Sequence, residues 1–159
     1  MAAIKEVEFE RTYDAPIEKV WDAWTNPEIL KKWWGPNDVS IPECEVDLRV
    51  GGKIYIVMEA GEAMGDIKGM RWPMEATFTV VEEPSKLVYE ARAWTEGAEE
   101  ATTIETVQEL TLTEEGGKTK LYLKAAINKA GPGAGMAVEG MQYGYNQQFD
   151  KLDALLKNS

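Results

Sequence analysis

The sequence has no histidine and a single cysteine. Without histidine, neither a Ser-His-Asp nor a Cys-His arrangement can be assembled, so any proton transfer falls to carboxylates, Tyr, Lys or water. The lone Cys44 excludes an internal disulfide, and the two shortages together remove the familiar Cys/His zinc patterns. Cys44 alternates with Val46 and Leu48, which reads as a buried, inert thiol. No apolar run approaches the ~18 residues of a membrane span. The opening MAAIKEVEFE also lacks the charged-then-apolar order of a signal peptide, so a soluble cytoplasmic protein is expected. Basic residues are scarce as well, 17 against 28 acidic ones. The resulting net charge of −11 repels phosphate backbones and argues against nucleic acid as a partner.

What is present points to one α+β domain. The chain has 159 residues, 44% of them apolar, with no composition break, repeat or linker. Its last stretch, Ala134 to Lys157, reads as a long amphipathic helix. Val138, Met141, Tyr145, Phe149, Leu152 and Leu156 recur at steps of three and four and fall on one stripe. A helix of roughly 24 residues is ~36 Å long and needs a broad partner.

The partner is a series of alternating segments. Ile4 to Tyr13 predicts a first strand. Two short helices follow, one with Ile17, Val20, Trp21 and Trp24 on one face, the other starting at Asn26-Pro27 with Ile29, Leu30, Trp33 and Trp34. From Val39 the pattern is that of strands, with a hairpin at Gly51-Gly52 and turns at Glu83-Pro84-Ser85 and Glu115-Gly116-Gly117. Ala60 to Arg71 and Thr95 to Thr103 read as loops. One apolar and one polar face per strand mean an antiparallel sheet of about seven strands packed on one side. Such a sheet, curved around the last helix, leaves room for a cavity between them.

The order of elements resembles the helix-grip fold of the START, polyketide cyclase and birch-pollen-allergen (SRPBCC) superfamily. The segments APIEKVWDAWTNPEILKKWWGP, CEVDLRVGGKIYIVM, EEPSKLVYEA and GYNQQFDKLDALL are similar to the branch named after the activator of the heat-shock protein ATPase, the AHSA-like domains. The resemblance implies the fold and a ligand-sized cavity. Activities in the superfamily run from lipid carriage to cyclisation to chaperone partnership, so fold alone leaves function open.

The expected ligand-binding residues are Trp33, Met58, Trp72, Met74, Phe78, Tyr89, Gln108, Met141, Tyr145 and Phe149. The indoles of Trp33 and Trp34 either close a pocket or anchor the helix pair to the sheet. Trp72 and Trp94 border loops and either guard a mouth or pack as ordinary surface. Met58, Met64, Met70, Met74, Met136 and Met141 cluster around the loop after the second strand and the start of the last helix; flexible thioethers suit an adaptable pocket and fill ordinary cores equally well. Thr106, Gln108, Tyr89 and Tyr145 carry polar groups on inward parity, which must bond a ligand, one another, backbone or water. No carboxylate pair has the context of an acid–base couple. Gly131, Gly133 and Gly135 lead into a helix without a nucleotide-fold setting, so no cofactor, metal or catalytic set is expected.

The favoured function is a non-catalytic module holding a largely apolar lipid, aromatic or polyketide-like molecule between sheet and helix. A cyclase- or aromatase-like enzyme is the alternative, with Tyr, Gln or water moving protons. A co-chaperone role follows only from the name of the branch and is not expected of this domain by itself.

Overall fold

The computed structural model describes residues 5–157, the side chains of Met136 and Ala137 apart. Ile4 and the Met136 side chain, both used in the sequence reading, lie outside the described residues. The first strand, β1 (Lys5–Tyr13), leads into α1 (Ile17–Thr25) and α2 (Pro27–Trp33). Then come β2 (Val39–Val46), β3 (Lys53–Ala60), β4 (Arg71–Glu82), β5 (Lys86–Ala93), β6 (Ile104–Glu115), β7 (Lys118–Ala130) and the long α4 (Gly135–Lys157). The seven strands form one antiparallel sheet in the order β1-β7-β6-β5-β4-β3-β2. This is the helix-grip arrangement, a curved sheet around a terminal helix.

Two stretches expected to be loops carry structure. Glu62–Ile67 winds into a 3-10 turn, and a four-residue helix, α3 (Glu99–Thr102), stands between β5 and β6. Both are too short to have a periodic apolar face, the signal on which the sequence reading depends. Strand β2 ends at Val46, so Leu48 and Arg49 belong to the connection rather than to the strand.

Alternation sets which faces meet. Along β6, Ile104, Thr106, Gln108, Leu110 and Leu112 are buried while the residues between them are half-buried. On the outward face, Lys120 pairs with Glu10 and Lys124 with Glu6 across β1 and β7, solvated pairs that contribute little stability. Because β1 and β2 occupy opposite edges, the chain must cross one end of the sheet between them, and α1 and α2 make that crossing. Asn26 starts α2 by accepting from Glu28 N at 3.0 Å, with Pro27 in the first turn. The two helices meet through indoles: Trp24 and Trp33 lie 4.9 Å apart edge to face, Trp33 and Trp34 5.7 Å apart.

Helix α4 is seated unevenly. Phe149, Leu152 and Leu156 in its C-terminal half are buried, whereas Val138, Met141 and Tyr145 in its N-terminal half are only partly so. The C-terminal half is tied to β1, with Tyr13 Oη donating to Phe149 O at 3.4 Å and Arg11 Nη1 to Asp150 Oδ1 at 2.8 Å. The apolar stripe read from the sequence is real, but only its last turns reach a solid core.

Candidate functional site

Side-chain size along the inner face of β5 explains where the core stops. Leu87 and Tyr89 are large and fully buried; the next inward positions are Ala91 and Ala93. In register beside Ala91 stand Ala76 on β4 and Thr106 on β6, so three neighbouring strands present small residues at one level. Across from this shallow floor is the N-terminal half of α4, which carries Gly144 instead of a bulky residue. The result is a cavity of about 450 Å³.

Its walls are overwhelmingly apolar: Ile56, Met58, Met74, Ala91 and Ile104 from the sheet, Met141 and Tyr145 from α4. Met64 and Ile67 lie in the 3-10 turn, Trp72 at the start of β4 and Trp94 just past the end of β5, where it is held beneath the Arg92 guanidinium at 4.6 Å. Arg92 Nη2 in turn donates to Glu99 Oε1 at 2.7 Å, fastening α3 to the strand below it. The loop between β7 and α4 lies directly on α3. A Cβ on Gly131 would sit 2.5 Å from Ala101 O, so glycine is the residue that permits this close approach.

Two sets of hydrogen bonds reach the cavity wall from behind it. In the first, Tyr89 on β5 is the register partner of Gln108 on β6, and its hydroxyl donates to Gln108 Oε1 at 2.9 Å. Tyr145 Oη, from α4, donates to the same oxygen at 3.1 Å, and Gln108 Nε2 donates to Thr106 Oγ1 at 3.3 Å. In the second, α4 grips the turn after α2. Gln148 Oε1 accepts from Gly35 N at 2.8 Å, Gln147 Oε1 accepts from Asn37 N at 2.9 Å, and Lys151 Nζ donates to Trp34 O and Pro36 O. Burial lowers the Lys151 pKa, with Asp38 acting in the opposite direction. Gly35 has φ +84°, and a Cβ there would lie 2.8 Å from Val39 Cγ2 and 2.9 Å from Met58 Sδ, so the turn can pass the cavity wall only as glycine.

Of the residues expected to bind a ligand, Met58, Trp72, Met74, Gln108, Met141 and Tyr145 line the cavity together. Trp33, Phe78, Tyr89 and Phe149 do not line it; each is fully buried. Trp33 is turned into the helix pair, its Nε1 donating to Ala23 O at 2.9 Å, while the adjacent Trp34 takes the place on the wall. Phe78 and Tyr89 pack edge to face, 6.3 Å apart, two residues beyond Ala76 and Ala91 on the same inner face, and Phe149 is enclosed by Phe9, Trp24 and Tyr145. Gln148, which the sequence reading does not include, sits one residue before the stripe position Phe149, and an amide flanking the apolar stripe so closely is its one signal in the sequence. Cys44 is half-buried on edge strand β2 and away from the cavity lining, and burial pushes its thiol up to about 11. No group of His, Cys, Asp and Glu capable of holding a metal ion occurs among the described residues.

Burial makes the two tyrosines of the first set poor acids. It raises Tyr145 to about 12, partly opposed by the bond to Gln108, and raises Tyr89 well above 10.0, with the neighbouring Tyr145 adding to the effect. Both phenols are therefore neutral donors at ordinary pH. A phenol whose folded pKa exceeds its unfolded value contributes stability that is complete below the unfolded pKa and is lost as pH rises towards the folded one. Stability should therefore hold up to about pH 10 and then fall by ~1.4 kcal/mol per pH unit for each such tyrosine. Urea unfolding at stepped alkaline pH, with tyrosinate absorbance followed in parallel, measures it; a flat profile through pH 11 would count against buried phenols.

The family model described as Activator of Hsp90 ATPase homolog 1-like protein matches residues 14–157. The chain belongs to this family. Among curated proteins, none matches the chain significantly. A crystal structure of a Nitrosomonas europaea protein is 27% identical, covering 96% of this chain and 94% of the other with a TM-score of 0.76. A Rhodobacter sphaeroides protein is 24% identical over 99% of this chain and 96% of its own, at a TM-score of 0.75. A Silicibacter pomeroyi member of the same family is 21% identical over 96% and 98%, at 0.72. The last two likenesses concern the fold alone. The Activator of Hsp90 ATPase homolog 1-like match begins at Asp14 and so takes in both short helices, every strand after β1, and α4. No helix among the described residues is long and apolar enough to cross a membrane.

Proposed function

We propose that this family member holds a small, largely apolar molecule between the inner face of the sheet and the N-terminal half of α4. The observation carrying the proposal is the lining itself: a space of about 450 Å³ whose described lining residues include no Asp, Glu, Lys or Arg. Its residues are hydrocarbon, thioether and indole, with a few amides and hydroxyls, the composition of a ligand pocket rather than a reaction centre. Apolar surface removed from water there is worth roughly 25 cal/mol per Å². Members of this family are compatible with two kinds of partner, a small molecule or a chaperone, and an apolar cavity of this volume favours the first. A cyclase-like reaction is less well supported, because the Tyr89–Tyr145–Gln108 cluster spends its hydrogen bonds internally and both phenols resist ionisation.

The test is a ligand-observed NMR screen of the purified protein against fatty alcohols, aromatic ketones and polyketide-like compounds, with the chaperone ATPase as a parallel arm. Saturable binding by a subset of the neutral compounds is expected. No binder in a broad set, with the ATPase stimulated, would transfer the chain to the co-chaperone reading.

A further inference from the structure

We propose that the cavity selects its ligand through the side-chain amide donor of Gln148, and that the ligand is an uncharged molecule bearing a carbonyl-type acceptor. The inference rests on the ligand-binding reading above and narrows it to a chemical class.

Gln148 is 2% exposed and lines the cavity. Its amide cannot be turned round, because Gly35 N–H can only donate, and it is 2.8 Å from the oxygen. That contact leaves Nε2 as the other end of the group. Nε2 is fully buried and finds no acceptor among the described residues. Buried amide donors are rarely left so, since an unmet donor carries the whole desolvation penalty. The other buried donor in this position, Trp24 Nε1, belongs to the indole cluster and does not line the cavity.

Gln108, the amide singled out from the sequence, differs in this respect. Both lone pairs of its oxygen are taken, by Tyr89 and Tyr145, and one of its two N–H groups donates to Thr106, so both ends of the amide are engaged. It is a strut between β5, β6 and α4, whereas Gln148 is a donor held in place with nothing among the described residues to receive its hydrogen. The ligand's charge follows from the rest of the wall. A carboxylate, phosphate or ammonium group entering this lining would lose its hydration with no opposite charge to meet it. A ketone, ester or amide oxygen offers the needed acceptor without that penalty.

A matched pair of probes isolates the effect: 2-benzoylnaphthalene and 2-benzylnaphthalene, which differ in a carbonyl against a methylene. Affinities are measured by displacement of neutral N-phenyl-1-naphthylamine. The wild-type protein should prefer the ketone by roughly tenfold, the scale of one hydrogen bond to an otherwise unmet donor. Gln148→Met keeps the length of the side chain and removes the donor, and should bring the ketone-to-hydrocarbon affinity ratio to about one. Because that variant also deprives Gly35 N–H of its acceptor, a second readout uses the wild type. The ¹⁵N-labelled Gln148 side-chain amide should shift on adding the ketone and stay near its free position with the hydrocarbon. Equal wild-type affinities, or a ketone preference that survives in Gln148→Met, would overturn the assignment and leave the binding proposal standing. Failure of both probes and of the fluorescent reporter to bind at all would remove the binding proposal itself.

Discussion

Replacing Trp33 by Ala is expected to remove ~3–5 kcal/mol of stability, the range for deleting a buried aromatic side chain. Trp33 is 0% exposed, donates from Nε1 to Ala23 O at 2.9 Å, and meets the rings of Trp24 and Trp34 edge to face. Deleting it opens a hole between α1 and α2 and leaves the Ala23 carbonyl without that donor. For a chain of this size the loss corresponds to a fall of roughly 6–20 °C in Tm. Neutral-probe affinity measured on the fraction still folded should stay within about threefold of wild type, since Trp33 is absent from the cavity lining. Trp34→Ala should instead weaken binding, because that indole forms part of the wall. Thermal and urea unfolding beside probe titration separate the two residues. A Trp33→Ala protein of near-normal stability that no longer bound the probe would put the wrong indole at the ligand.

The second large effect concerns the floor. Ala91 lies in register with Ala76 and Thr106, where the strands carry small side chains and the cavity begins. Ala91→Trp should fill this space and reduce affinity for 2-benzoylnaphthalene at least tenfold, on the order of what losing most of a small ligand's buried surface entails. Overpacking a tight core costs about 1–3 kcal/mol, but here the indole has a void to occupy, and the change in stability should stay below ~1.5 kcal/mol. Calorimetric titration with a parallel unfolding curve checks both halves. Undiminished affinity would mean that ligands bind elsewhere on the molecule.

These substitutions also explain why stability and binding are separable here. The C-terminal half of α4 and the helix pair supply a solid core around Phe149, Leu152, Trp24 and Trp33. The N-terminal half of α4 stands over small residues and contributes cavity wall. Between the two halves, Gln147, Gln148 and Lys151 clamp the turn from Trp34 to Asn37. That clamp connects the packed end to the hollow end, and it fixes the Gln148 side chain through its oxygen.

Alternation of apolar and polar residues was enough to specify an antiparallel sheet with one buried face, because a period of two assigns every side chain without reference to the rest of the chain. The steps of three and four from Val138 to Leu156 likewise specified a helix and its inward stripe, and four ordered segments pointed to the family to which the chain belongs. Which indole of Trp33-Trp34 faced the cavity was beyond such reasoning. Neighbours in a short helix differ by about 100° in direction, and only the packing of α1 against α2 decides which one is enclosed. Nor could periodicity show that Gln108 is bonded at both ends of its amide while Gln148 is bonded only at its oxygen: Tyr89, Tyr145 and Gly35 reach these amides from distant parts of the chain. Local pattern sets the direction of a side chain, whereas its partners are set by how separate elements close on one another, and so the chemistry of the cavity belongs to the tertiary structure.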